Sequence, residues 1–301
     1  MRVIRVHEFG GAEVLRVEEV GRPEPGDGQV LVEVEVAAVL FADTLLRRGT
    51  VPSWAVPYVP GFEIGGVVVH AEDQALAGRR VVARTSGFQG GYAEFALADH
   101  VHPVADGMPI EHAVALFGGG DMAIGLLDVM RVGAADTVLV TAAAGRIGSM
   151  LVQAAHARGA HVIGVTSPDK LAAVKELGAQ PVTYDDENWG EPSVVLDSVG
   201  GEVGGRAVAV AQDRVGLYGY TSGQWPQVDT ALIAQRGLTV VGASGVLQRR
   251  SSQRQRADAE TALNSGMTAK IHAVHPLDRA VDAHNDLEQR RNTGAVLLRL
   301  K

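Results

Sequence analysis

The stretch Thr141-Ala142-Ala143-Ala144-Gly145-Arg146-Ile147-Gly148 has the residue types and spacing to cradle a phosphate. It follows a short apolar run, Val138–Thr141, which predicts a strand. It opens Ile147–Arg158, whose apolar residues recur at helical spacing. The glycine spacing is that of the second half of the dinucleotide fingerprint, with Ala142 in place of the first glycine. Gly145 lets backbone approach a pyrophosphate, and Gly148 lets the helix pack on the strand. The helix N-terminus adds free N–H groups and a positive dipole end. Thr141, Ala144, Gly145, Arg146, Ile147 and Gly148 are the expected cofactor contacts. The alternative is a tight turn with no ligand; the strand–turn–helix context argues against it.

The end of the following strand selects the dinucleotide. NAD sites usually place an acidic residue there for the ribose 2′-hydroxyl. This chain has Val165-Thr166-Ser167-Pro168-Asp169-Lys170. Thr166 and Ser167 are neutral donors, and Lys170, one of only four lysines, can neutralise a 2′-phosphate. Arg146 adds a second cation. The expectation is NADPH (NADP+). On the competing reading Lys170 is a solvated helix-start residue and Asp169 points to NADH.

Ligands in parallel sheets lie beyond the carboxyl ends of the strands. Asp197–Gly201, Gly219–Gly223 and Gly242–Gly245 each follow a predicted strand, which nominates Ser198, Gly219, Tyr220, Gly242, Ala243 and Ser244 as further cofactor contacts. The alternative for each is a plain strand-to-helix loop.

These loops need a scaffold. The first third is β-rich, with strands expected at Val3–Val6, Val14–Glu19, Val30–Val39, Gly65–Val69, Arg80–Ala83 and Tyr92–Leu97. Glycine and proline punctuate them, which suggests a compact barrel-like β unit. Helices are expected at Glu111–Phe117 and Ala123–Met130. Strands and helices then alternate: His161–Val165, Lys170–Leu177, Val194–Leu196, Arg214–Leu217 and Leu238–Val241. That alternation predicts a doubly wound parallel sheet in an α/β protein. The tail, with helices at Asp258–Asn264 and Ala280–Gln289 and a strand at Ala295–Arg299, is assigned back to the first domain. The expected division is 118–245 for the dinucleotide domain and 1–117 with 246–301 for the other.

With 301 residues, 46% of them hydrophobic, the chain can bury a sizeable core. A net charge of −8 argues against a nucleic-acid partner. The arginines of Arg249–Arg256 alternate with Ser and Gln and read as a solvated helix start. Without cysteine there are no disulfides and no thiolate metal ligands. The alternating N-terminus reads as a strand rather than a signal peptide, and no stretch is expected to reach the ~20 apolar residues of a membrane span. A cytoplasmic setting without a membrane partner is expected.

The order and spacing of several motifs resemble the medium-chain dehydrogenase/reductase superfamily, in its zinc-free quinone oxidoreductase branch. They are Val59-Pro60-Gly61-Phe62-Glu63 with Gly65-Gly66-Val67, Gly90-Gly91-Tyr92-Ala93-Glu94, the turn ending at Gly148, Glu176-Leu177-Gly178-Ala179, Val195–Gly200 and Thr293-Gly294. The resemblance covers nearly the whole chain. It implies a GroES-like β-barrel interrupted by a Rossmann domain, NADPH, and a homodimer formed through the Rossmann sheets.

Zinc-dependent relatives carry Cys in the segment that is Leu40–Asp43 here, and His where Phe62 stands, so no metal is expected. His100 and His102 would share one strand face and are read as edge-strand histidines. Relatives in the zinc-free branch show Asn where Leu40 stands and Tyr where Leu45 stands; only Asp43 is kept. The pocket around Leu40, Phe41 and Phe62 is therefore expected to be unusually apolar, the alternative being that these residues fill the barrel core.

The implied chemistry is hydride transfer from NADPH to a quinone or an α,β-unsaturated carbonyl. The proton then comes from Asp43, Tyr92, Tyr220 or water. Against this stand a structural hydrogen-bonding role for Asp43 and a packed ring for Tyr92. The alternative class is a catalytically weak or inactive NADPH-binding homologue, a sensor or structural protein.

Overall fold

The computed structural model describes residues 1–301. The chain forms two compact units, Met1–Gly118 with Lys270–Lys301, and Gly119–Ala269.

In the first unit, β1 (Arg2–Arg5) and β2 (Arg16–Glu19) pair as an antiparallel ribbon. They are followed by β3 (Val30–Val39), α1 (Phe41–Arg47), β4 (Glu63–His70), β5 (Arg80–Thr85) and β6 (Phe95–Pro103). The last four strands, β3 to β6, pair antiparallel in sequence. β6 also returns to β3, with Val32 opposite Ala96, and so closes a barrel. Closure leaves few strand edges unpaired. Alternation sets the faces: Val32, Val34 and Val36 are buried, while Glu33 and Glu35 reach outward. The core gathers Ile4, Val6, Val34, Ile64, Val68 and Leu298 around the ring of Tyr92.

α2 (Ile110–Val129) is one continuous helix where two were expected. It runs through Gly118-Gly119-Gly120. Those glycines instead provide space: a Cβ at Gly118 would lie 1.7 Å from the Glu63 carboxylate. The helix is also long and apolar enough to span a bilayer, contrary to expectation; most of it is buried inside the protein.

The second unit continues with β7 (Thr137–Val140), α3 (Arg146–Ala157), β8 (His161–Thr166), α4 (Leu171–Glu176), β9 (Gln180–Thr183) and β10 (Val194–Asp197). It ends with α5 (Gly201–Val210), β11 (Arg214–Leu217), α6 (Thr230–Arg236), β12 (Thr239–Gly242), α7 (Ala243–Gln248) and α8 (Ser252–Leu263). Its six strands are parallel, in the order β12-β11-β10-β7-β8-β9. The order reverses between β7 and β10, and a cleft opens at such a switch point beyond the strand ends. β9 escaped the sequence reading because it is a short edge strand containing Pro181.

α8 begins well before the expected Asp258. Ser251 caps it by accepting from the Arg254 amide, and Arg254 pairs with Asp128 of α2 and with Asp258. The arginine-rich stretch is thus a helix start, but two of its arginines, Arg250 and Arg254, hold buried Asp258. Gln153 of α3 bonds both the carbonyl and the amide of Thr268. These ties keep 246–269 in the second unit, so the return to the barrel comes at Lys270 and not at 246.

After that return, β13 (Ile271–Pro276), α9 (Ala280–Glu288) and β14 (Ala295–Arg299) complete the first unit. β14 runs antiparallel to β3, with Val296 opposite Val39, and β13 lies parallel to β14 at the sheet edge.

Candidate active site

The glycine turn leaves β7 at Thr141, which is fully buried. Its hydroxyl donates to Asp197 Oδ1 at 2.7 Å and accepts from the Ser198 amide at 3.1 Å. Asp197 also accepts from the amides of Val199 and Gly200. Thr141, expected from the sequence as a cofactor contact, faces inward and positions the turn, with its hydroxyl proton engaged by Asp197. Ala142 sits at φ +51°, where the fingerprint has glycine. Its carbonyl accepts from the Gly145 amide at 2.9 Å and lies 2.2 Å from where a Cβ at Gly148 would be. Any side chain at Gly148 would break the turn.

Gly145 is the N-cap of α3 and has no side chain to cap it. The first-turn N–H groups of Ile147 and Gly148 have no earlier helical carbonyl to bond. A Cβ at Gly145 would meet only the Ala142 carbonyl, at 3.1 Å, and otherwise open space. Helix-start donors beside open space fit a phosphate group. Ala144 is buried behind them, while Arg146 and Ile147 stay half-buried.

At the end of β8, Thr166 is buried and Ser167 half-buried. A hydrogen bond from Ser167, with the charge of Lys170 beside it, holds the exposed Asp169 carboxyl below its ordinary range. Partial burial lowers the Lys170 ammonium. The Ser167–Asp169 contact was missed by the sequence reading and leaves Ser167 with lone pairs, not a proton, to offer.

The loops after β10 and β11 are stitched together. Thr221 donates to the Ser198 carbonyl and Ser222 to that of Val199; Gly201 donates to that of Gln224. Gly219 packs on Ser198, where a Cβ would lie 3.0 Å from its carbonyl oxygen. Tyr220 is half-buried, its ring 4.7 Å from that of Trp225. After β12, Gly242 is exposed, Ala243 buried and Ser244 half-buried at the start of α7.

In the barrel unit Asp43 and Tyr92 come together, 1% and 0% exposed. Asp43 accepts from the amides of Leu40 (2.8 Å) and Gly61 (3.2 Å) and from the Tyr92 hydroxyl (3.2 Å). Burial outweighs these bonds and raises the carboxyl to about 7. The Tyr92 oxygen also lies 3.2 Å from His284 Nε2 on α9. Burial, and then the Arg47 charge, lowers His284 to about 3, so its imidazole is neutral. Tyr92 has one proton for two neighbours. Both bonds form if His284 carries its proton on Nε2 and donates to Tyr92, which donates to Asp43. Asp43, Tyr92 and His284 thus form one buried hydrogen-bonded chain.

Beside the chain, fully buried Arg47 pairs with Glu288. Sequence reasoning missed His284, Arg47 and Glu288, which lie in ordinary amphipathic stretches without a motif of their own. Leu40, Phe41 and Phe62 are half-buried; Phe62 packs against the core and also touches Trp54 and Phe88. His100 and His102 differ: His100 is exposed, and His102 is buried on the Phe117 ring.

Two family profiles match the chain. Residues 26–106 match the alcohol dehydrogenase GroES-like domain, and residues 147–259 match the zinc-binding dehydrogenase domain. The structure resembles that of a mycobacterial quinone oxidoreductase over all of both chains, at 31% identity and TM-score 0.83. This chain belongs to the medium-chain dehydrogenase/reductase superfamily, in its quinone oxidoreductase branch. A mycobacterial structure complexed with NADPH is also similar, 30% identical over all of both chains with TM-score 0.90. The Sus scrofa quinone oxidoreductase is 28% identical over 100% of this chain and 98% of its own. In this member of the superfamily the positions read as zinc ligands carry Leu40 and Phe62, whose side chains have no coordinating atom.

Proposed function

We propose that this protein is a zinc-independent oxidoreductase that uses NADPH to reduce a quinone or an α,β-unsaturated carbonyl. The observation that carries the reading is the glycine N-cap of α3 at Gly145, open to space beyond the Ala142 carbonyl, with Lys170 following the neighbouring strand. Relatives solved with NADPH support the choice of dinucleotide.

The cofactor contacts in this reading are Ala144, Gly145, Arg146, Ile147 and Gly148 for the pyrophosphate, and Thr166 and Lys170 for the 2′-phosphate, joined by Ser167 once its hydroxyl turns from Asp169 to the phosphate. Ser198, Gly219, Tyr220, Gly242, Ala243 and Ser244 serve the nicotinamide half. Bound NADPH supplies hydride from its C4 atom. The second unit holds the dinucleotide, and the barrel unit, through Leu40, Phe41 and Phe62, holds the apolar acceptor and keeps water from it. Each turnover adds one hydride and one proton to the acceptor. Of the three expected proton donors only Tyr220 is partly exposed, so the proton comes from Tyr220 or from water.

Absorbance at 340 nm, followed with 1,4-benzoquinone and a simple enone, tests the reading. NADPH binding without turnover of either would replace it with the second one, a non-catalytic NADPH-binding homologue, which the burial of Asp43 and Tyr92 favours. A cytoplasmic setting and a homodimer belong to the same proposal. β12, at the edge of the parallel sheet, is the strand through which two copies would pair; light scattering measures the mass.

A further inference from the structure

The chain has a net charge of −8, yet one cavity within the second unit gathers arginines. Its volume is about 390 Å³, and it lies where α2, α3 and α8 meet. Small-molecule sites run from roughly 300 to 1,000 Å³. The floor is aliphatic: Ile124 of α2, Ala154 and Ala157 of α3, Ala257 of α8, and Met267. Alanines on the facing helices leave the gap, which longer side chains would close. No aromatic ring lines it.

Fixed side chains hold the cavity in shape. Asp128 of α2 accepts from Arg158, after α3, on one oxygen at 2.7 Å and from Arg254 of α8 on the other. Asp258 accepts from Arg254 Nε at 3.1 Å and from Arg250. Gly125 gives these groups room on α2: a Cβ there would lie 3.2 Å from Arg250 Nη1 and 3.4 Å from Asp258 Oδ2. On the far wall the Met267 amide donates to the Ser265 hydroxyl, and Gln153 clamps the neighbouring Thr268.

Both oxygens of each aspartate thus already accept from an arginine. A guanidinium carries five N–H donors and no acceptor. Arg158 and Arg254 line the cavity and carry more donors than the two aspartates engage. Three guanidiniums over two carboxylates leave one positive charge in excess. The Arg254 side chain is 54% exposed and that of Arg158 26%, so an anion reaches both from solvent.

We propose that this cavity binds a small aliphatic carboxylate, at a site separate from the dinucleotide turn. The ligand carboxylate lies across Arg158 and Arg254 in charge-assisted hydrogen bonds, and its alkyl chain lies on Ile124, Ala154 and Met267. Arg158 follows Arg146 by the 12-residue length of α3, about 18 Å along the helix from the glycine turn.

Methyl NMR of protein labelled at its methionine methyl groups tests this, and Met267→Leu identifies the Met267 signal by its loss. Hexanoate is expected to shift that signal saturably, with Kd at or below about 1 mM. Acetate lacks the alkyl chain and 1-hexanol lacks the charge; each should bind at least about tenfold more weakly. Arg254→Gln should weaken hexanoate at least about tenfold. Ala257→Leu fills the cavity and leaves every ion pair in place; it should do the same, and it carries the test if Arg254→Gln unfolds. Saturating NADPH should leave the hexanoate Kd within about twofold. No shift of Met267 at about 10 mM hexanoate overturns the proposal. So does 1-hexanol binding as tightly as hexanoate, or full affinity in either folded variant. Displacement by NADPH also overturns it, and moves the anion to the glycine turn.

Discussion

The Thr141 hydroxyl donates to Asp197 Oδ1 at 2.7 Å, and this bond joins the glycine turn after β7 to the loop after β10 across the switch point of the parallel sheet. The same hydroxyl accepts from the Ser198 amide, so one buried oxygen sets the spacing of two cofactor loops.

Thr141→Val would leave the Asp197 carboxylate and the Ser198 amide each short of a partner. The expected cost is about 1–3 kcal/mol of stability, with weaker NADPH binding alongside. Thr141→Ser keeps both bonds and should behave as wild type. Urea unfolding and fluorescence titration with NADPH check the pair; a Thr141→Val protein with wild-type affinity would free the turn from this bond.

The turn itself separates two effects of backbone. Ala142→Gly removes a Cβ from a left-handed residue and should stabilise the fold by about 1 kcal/mol. Gly148→Ala places a Cβ 2.2 Å from the Ala142 carbonyl and should destabilise severely. Melting temperatures in opposite directions are the expected result. Gly145→Val, which meets little protein, should instead leave folding near normal and abolish NADPH binding.

Lys170→Ala should weaken NADPH binding far more than NADH binding, because only NADPH carries the 2′-phosphate. Dissociation constants for both cofactors measure this. An equal loss would assign Lys170 to the helix start alone.

Asp43 and His284 titrate in opposition. Asp43 is raised to about 7 from 3.8, so the stability it contributes is full below about pH 4 and is lost as pH rises towards 7. His284 is lowered to about 3 from 6.5, so its contribution is present above about pH 6.5 and is lost as pH falls towards 3. Between about pH 4 and 6.5 the two slopes cancel. Asp43→Asn should unmask the histidine: stability then falls on acidification through that window, by up to about 1.4 kcal/mol per pH unit. His284→Gln should unmask the acid, with stability falling as pH rises from 4 to 7. Urea midpoints at four pH values distinguish the variants; parallel profiles would contradict the opposition.

The elements that local rules govern were legible. β3 alternates valine with glutamate, and α3 opens on a glycine turn, so period and punctuation place both. α1 was not legible, since its N-cap is Leu40 and its closing bond is donated by the Leu40 amide to the Asp43 carboxylate. The continuity of α2 through three glycines was hidden because its reason, the Glu63 carboxylate against Gly118, lies 55 residues away in the chain. The proposed cofactor contacts come largely from one contiguous motif. The proposed acceptor contacts carry a weaker signal in the sequence, because they are apolar and apolar residues also fill cores.

By itself, the amino-acid order determined the strand–turn–helix at Thr141–Gly148, the alternation that builds a parallel sheet, and the lack of coordinating side chains at Leu40 and Phe62. Those features depend on residues adjacent in the chain. Only the tertiary structure decided that Asp43, Tyr92 and His284 form one buried hydrogen-bonded chain, with Tyr92 and His284 separated by 192 residues. It alone decided that the ring of Phe88 stands in the open. Burial and hydrogen bonding between distant segments assign such roles, and neither is written in the spacing of neighbouring residues.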